Sequence, residues 1–104
     1  MRKIELASEP SQQFSVSLND NNFDIRIKDV GGLCLMDIKV NEETLALGLP
    51  VYPNQPIIPY AYKSRYGNFV YFTATEEYPE WKTLNKQGNL YYLAPEEVQE
   101  IING

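Results

Sequence analysis

Strict alternation of apolar and polar residues, in short runs broken by turn-forming clusters, is the feature that most limits what this chain can fold into. "RKIEL" places Ile4 and Leu6 on one face. "FSVSL" sends Phe14, Val16 and Leu18 one way and Ser15 and Ser17 the other. "FDIRIKD" repeats the pattern with Phe23, Ile25 and Ile27 against Asp24, Arg26 and Lys28. A period of two puts every second side chain on the same face of a strand, so these runs predict antiparallel strands with one wet face. The clusters between them suit tight reversals. "NDNN" (19–22) supplies Asn and Asp, which tolerate left-handed backbone, and "DVGG" (29–32) supplies two glycines. "LCLMDIKV" is a fourth strand, and its continuous apolar start predicts burial on both faces. "NEET" (41–44) then turns the chain into "LALGL", completing a meander of hairpins.

The second half is punctuated by proline. "LPVYPNQPIIPY" holds Pro50, Pro53, Pro56 and Pro59. Proline has no N–H for a sheet ladder, so this stretch predicts an irregular, extended, partly polyproline-like crossover. Ile57 and Ile58 look like core, which weighs against a proline-motif ligand for a signalling domain. "YAYKSRYGN" leads into the aromatic strand "FVYFTA", and "KQGN" (86–89) turns into the last strand, "LYYLA". "APEEVQEIING" changes period. Pro95 suits a first helical position, Glu96 and Glu97 sit at the positive end of the dipole, and Val98, Ile101 and Ile102 make one stripe. The expectation is an all-β fold: a small antiparallel sandwich or partly open barrel of about seven strands with a short C-terminal helix. Residues 1–94 form a single β domain and 95–104 the helix. Phe14, Val16, Leu18, Phe23, Ile25, Ile27, Leu35, Ile38, Leu47, Val70 and Phe72 are the expected core.

Composition narrows function by exclusion. The chain of 104 residues carries nine basic and fourteen acidic groups, a net charge of −5. That balance argues against nucleic acid, which demands clustered Lys and Arg, and against anionic membrane surfaces. There is no histidine, so a Ser-His-Asp triad, a Cys–His pair and most catalytic zinc sites are out of reach. Cys34, the single cysteine, reads as a small buried hydrophobe. Glu42/Glu43, Glu76/Glu77 and Glu96/Glu97 are adjacent pairs. Glycoside hydrolysis needs two carboxyls facing each other across a groove, which sequence neighbours do not provide. "NDNNFDIRIKD" has the oxygens of a calcium loop but lacks its Gly and closing Glu. Gly31–Gly32 is a turn, with no phosphate-binding fingerprint around it. No catalytic residue, metal or cofactor is expected. "MRKIELASEP" has no apolar signal core, and no apolar run approaches the roughly 20 residues of a membrane span.

What remains is aromatic. All eight tyrosines lie from residue 52 onward, and the only tryptophan, Trp81, stands in the polar stretch "TEEYPEWKTL" between two strong strands. A connection of that length in a small domain is usually functional or disordered, and Tyr78, Pro79 and Trp81 argue against disorder. Residues 76–84 are therefore read as a docking arm, with Glu76, Glu77, Tyr78, Glu80 and Trp81 as the partner-binding residues and Trp81 as the anchor. Alternatively, Trp81 folds back as a lid on its own core.

The order of these features resembles the baseplate plug family of contractile-tailed phages, over nearly the whole chain up to Leu93. "IEL", a proline and "QQFSVSL" are similar to the family's opening strands, and "FDIRIKDVGGLCLMDI" to its central hairpin, with Leu33 or Leu35 where an aromatic is usual. "LALGLPVYPNQPIIPY" and "LNKQGNLYYL" resemble its later segments, the last with an insertion between Leu84 and Gly88. The resemblance implies a non-catalytic structural protein of the virion's tail baseplate, assembled in the host cytoplasm. Its implied partners are other tail and baseplate proteins, namely the hub and the first ring around the tail tube, with multiple copies in a symmetric assembly. Two other readings compete: a carbohydrate-binding module that stacks sugars on Trp81 and nearby tyrosines, and a small adaptor for one soluble partner.

Overall fold

The computed structural model describes residues 1–59 and 65–103. Tyr60 and Tyr62, in the opening "YAYKS" of "YAYKSRYGN", and Gly104 lie outside the described residues, as do the side chains of Ile101 and Ile102 in the expected helical stripe. Seven strands form: β1 (Arg2–Ile4), β2 (Ser11–Leu18), β3 (Asn21–Val30), β4 (Leu33–Val40), β5 (Glu43–Pro50), β6 (Asn68–Thr73) and β7 (Gly88–Leu93). They are followed by helix α1 (Pro95–Asn103). All seven expected strands are present. They build two antiparallel sheets, a meander β2-β3-β4-β5 and a three-stranded sheet β1-β7-β6, which are not closed into a barrel.

The turns carry out what their residues allow. Leu18 pairs with Asn21 around Asn19 (φ 51°) and Asp20 (φ 65°), and Val30 pairs with Leu33 around Gly31 (φ 62°) and Gly32 (φ 89°). Val40 pairs with Glu43 around Asn41 (φ 51°) and Glu42 (φ 71°). Two consecutive positive φ values match the twist of the flanking strands, which is why two-residue hairpins select this turn. The register follows the alternation: Phe23 faces Val40, Ile25 faces Ile38 and Ile27 faces Met36, all buried. Across the core, Phe23 meets Phe69 and Tyr92 of the other sheet, each ring centroid 5.6 Å away in an edge-to-face arrangement.

The core differs from expectation on β4 and β5. Leu18, Phe23, Ile25, Ile27, Ile38 and Val70 are buried, and Phe14 and Val16 pack half-buried against the core. Leu35 is only half-buried, because β4 turns Cys34, Met36, Ile38 and Val40 inward and Leu33 and Leu35 outward. The doubly buried strand is thus single-faced. Phe72 is half-buried on β6 and meets the Tyr91 ring at a tilt of 60°. Leu47 is 65% exposed. Ile38 pairs with Ala46 and Met36 with Leu49, so Leu47 and Gly48 together oppose Asp37. Gly48 takes φ 65°, and its N–H donates to Asp37 Oδ1 at 2.6 Å. A second register shift, between Lys39↔Thr44 and Ile38↔Ala46, leaves Leu45 extra and sets Ala46 inward and Leu47 on the wet face; the bulge at Gly48 then returns Leu49 to the core.

The proline-rich crossover runs along the outer edge of β6. Asn54 N–H donates to the Tyr71 carbonyl (2.9 Å) and Ile57 N–H to the Phe69 carbonyl (2.8 Å). Two side-chain amides complete this edge in place of backbone. The Asn54 amide accepts from Thr73 N–H (2.9 Å) and donates to the Thr73 carbonyl (3.0 Å). The buried Asn68 amide accepts from Ile58 N–H (2.8 Å) and donates to its carbonyl (2.9 Å). Each acts as a missing rung, so prolines can sit where no donor is required.

Candidate functional site

The connection between β6 and β7, residues 74–87, is built in two halves. Its base is closed by Thr73 pairing with Gly88 and by Thr73 Oγ1 donating to the Gln87 carbonyl at 2.9 Å. Gly88 is required there, since a Cβ would lie 2.5 Å from a Tyr71 ring carbon and 2.8 Å from the Phe72 carbonyl oxygen. The second half is folded onto the protein. Trp81–Thr83 form one turn of 3-10 helix, with Thr83 N–H on the Glu80 carbonyl at 3.0 Å. Leu84 is buried in the core, and the Asn85 amide donates to the Leu6 carbonyl. Trp81 is half-buried against the core. Its backbone N–H donates to Asp29 Oδ2 at 3.3 Å, and the Lys82 ammonium lies 5.5 Å from its ring centroid.

The first half faces water. Glu76, Glu77 and Glu80 are exposed, and Glu76 holds a left-handed φ of 59°. Tyr78 is 57% exposed, while Pro79 beside it is buried and pins the segment down. Tyr78 packs edge-on against Tyr52 of the crossover, centroids 5.6 Å apart and planes at 84°. The structure therefore brings Glu76, Glu77, Tyr78 and Glu80 together on one exposed segment and turns Trp81 toward the interior. Tyr52, itself 40% exposed, belongs to the same surface. Sequence reasoning missed it, because nothing in "VYPN" tells which distant ring it will meet.

Burial pushes the Cys34 thiol up to about 11, reinforced by the negative charges of Asp29 and then Glu80. The thiol is 2% exposed and stays protonated near neutrality, the opposite of an activated nucleophile. Among the described residues no three ligating side chains converge as a metal would need. Nor do Tyr52 and Tyr78 offer a flat stacking platform, since their planes are nearly perpendicular. The arrangement presents carboxylates around an aromatic pair on a braced support, a chemistry suited to a basic, partly apolar protein surface.

A family model described as Cyanophage baseplate Pam3 plug gp18 matches residues 1–96. No curated protein matches the chain.

Proposed function

The chain belongs to the family of the cyanophage baseplate plug, and from that membership we propose that it is a structural component of a phage tail baseplate that binds neighbouring hub and ring proteins without catalysing a reaction. It is carried in the virion's tail baseplate after assembly in the host cytoplasm. Residues 1–94 act as one β domain, with 95–104 as an attached helix. Docking runs through Glu76, Glu77, Tyr78 and Glu80, joined by Tyr52. Trp81 anchors the arm from beneath.

The observation that carries this reading is the division of the 74–87 connection. One half is fastened to the core, and the other holds three exposed glutamates and an exposed aromatic pair on that fixed base. A preformed surface loses little entropy on docking, and rim carboxylates steer encounter and set register. The perpendicular rings disfavour the sugar-binding alternative. The test is the variant Glu76→Lys/Glu77→Lys/Tyr78→Ala. Its melting temperature should stay within a few degrees of the parent, while incorporation into baseplates in infected cells fails. Normal incorporation would remove the arm from the interface.

A further inference from the structure

Strand β2 is an open edge. It pairs with β3 alone, in an unbroken register from Ser11 opposite Lys28 to Leu18 opposite Asn21. Asp29 N–H donates to the Pro10 carbonyl at 2.9 Å, and in an antiparallel ladder every second residue bonds the same neighbour. Gln12, Phe14, Val16 and Leu18 therefore turn their backbone groups to β3, and Ser11, Gln13, Ser15 and Ser17 point theirs outward. The Ser17 carbonyl accepts from Arg2 Nη1 at 3.1 Å. An edge is ordinarily protected by a charge, a proline or a bulge within the strand, and "SQQFSVSL" has none of these. Phe14 and Val16 face the core yet stay only half-buried, so the apolar side of this edge is unfinished as well.

We propose that β2 pairs with β2 of a second copy of the chain, antiparallel about a two-fold axis at Phe14. Ser11 then meets Ser17 of the second copy and Gln13 meets its Ser15, so every outward backbone group finds a partner. A carbonyl has two lone pairs, so that of Ser17 can keep Arg2 while accepting a rung. Two observations select a second copy over a foreign strand. The strand is uncharged, so it lies against itself without like charges meeting, and the two-fold sets Phe14 against Phe14 of the second copy on the apolar side, where each covers the other. The ends, by contrast, differ in charge. Exposed Arg2 stands at the Ser17 end, and exposed Glu9 lies two residues before Ser11. Neither has an ion pair among the described residues. Antiparallel pairing brings each Arg2 to the end that carries Glu9 of the second copy, whereas parallel pairing would set like against like. The contact is isologous, covers both open edges at once and closes at two copies. It leaves the 76–80 segment free for other neighbours.

Sedimentation velocity of the full chain tests it, with Ser15→Pro as the decisive variant. The Ser15 N–H points away from β3, so a proline there should leave the melting temperature within a few degrees while removing a central rung between copies. The parent should reach the mass of a dimer as concentration rises, and Ser15→Pro should stay monomeric. Ser15→Ala controls for the Ser15 hydroxyl, which donates to Asp24, and should dimerise like the parent. Arg2→Glu should weaken the dimer roughly tenfold by setting it against Glu9 of the second copy, and Arg2→Glu/Glu9→Arg should restore it. If Ser15→Pro does not fold, amide exchange of the parent decides: the Gln13 and Ser15 N–H groups should slow with rising concentration while those of Phe14 and Val16 stay unchanged. A parent that is monomeric at its highest soluble concentration, a dimer that survives Ser15→Pro or ignores Arg2→Glu, masses that climb past the dimer, or exchange without that alternation overturns the proposal.

Discussion

Replacing Asn68 with Leu should cost about 3–5 kcal/mol, far more than the same change at Asn54. The two amides make the same bidentate contact with one residue's N–H and carbonyl, at 2.8 and 2.9 Å for Asn68 and at 2.9 and 3.0 Å for Asn54. They differ in surroundings. Asn68 is 7% exposed, and its partner Ile58 is 1% exposed. Asn68 also accepts from Phe69 N–H at 2.7 Å. Leucine has the branching of asparagine but is bulkier and has no polar atoms, so Ile58 N–H and carbonyl would be left unpaired away from water. Each stranded group costs about 1–3 kcal/mol, and Phe69 N–H adds to the loss. Asn54 is exposed, so water can replace its amide, and the cost there should stay below about 1 kcal/mol. A chain of this length has about 5–15 kcal/mol to lose, so Asn68→Leu threatens folding while Asn54→Leu does not. Urea unfolding followed by Trp81 fluorescence and by circular dichroism gives both numbers, provided the two transitions coincide. If the two variants cost the same, buried amide pairing is not what holds the crossover to β6, and the reasoning fails.

Three further outcomes follow from the same structure. Ile25→Ala, at a fully buried site facing Ile38, should lose about 2–5 kcal/mol in urea titration, and a loss under about 1 would mean the core is misplaced. Trp81→Ala should cost about 1–3 kcal/mol, less than a fully buried aromatic, because the ring is only half-buried against the core; a larger loss would make it purely a lid. Stability should decline above pH 9. The Cys34 thiol titrates near 9.0 when unperturbed and about 11 in the fold, so within that window the unfolded chain binds fewer protons and stability falls as pH rises. Cys34→Ala should flatten that decline in a series of thermal melts, and an unchanged profile would assign it to other groups such as Tyr71 and Tyr92, whose hydroxyls burial also pushes up.

The strands were legible because one wet face forces a period of two, and no tertiary knowledge is needed to see it. The hairpins were legible because positive φ at two successive positions demands Asn, Asp or Gly, although Glu42 shows that the turn can impose this backbone on an ordinary residue. Helix α1 was announced by Pro95 and the glutamates after it, with Glu97 bonding back to Ala94 N–H at 3.0 Å and to the N-terminal ammonium. Leu47 was misread because β5 slips its register at Leu45 and again at Gly48, whose N–H is held by Asp37 eleven positions away. Trp81 presents the same difficulty. Its polar neighbours describe a surface loop, and only Asp29, fifty-two positions upstream, draws its backbone inward. Long-range side-chain-to-backbone bonds leave no periodic trace in a sequence.

Such bonds also govern how this protein can associate. A protein working among many neighbours must prevent its sheet edges from pairing with whatever strand arrives. The β6 edge is covered by the crossover and closed by the Asn54 and Asn68 amides. The β5 edge is broken by its bulge. Near the start of β2, the Gln12 amide repeats the device, accepting from Ala7 N–H at 3.0 Å and donating to its carbonyl at 2.7 Å. With these stretches blunted, strand addition is left to the outer edge of β2, and elsewhere side-chain surfaces set partner choice. Under the proposed function, the surface that does so is the acidic, tyrosine-bearing segment before Trp81. Its exposed glutamates and paired rings would let a few named residues fix register, where a backbone ladder tolerates slippage.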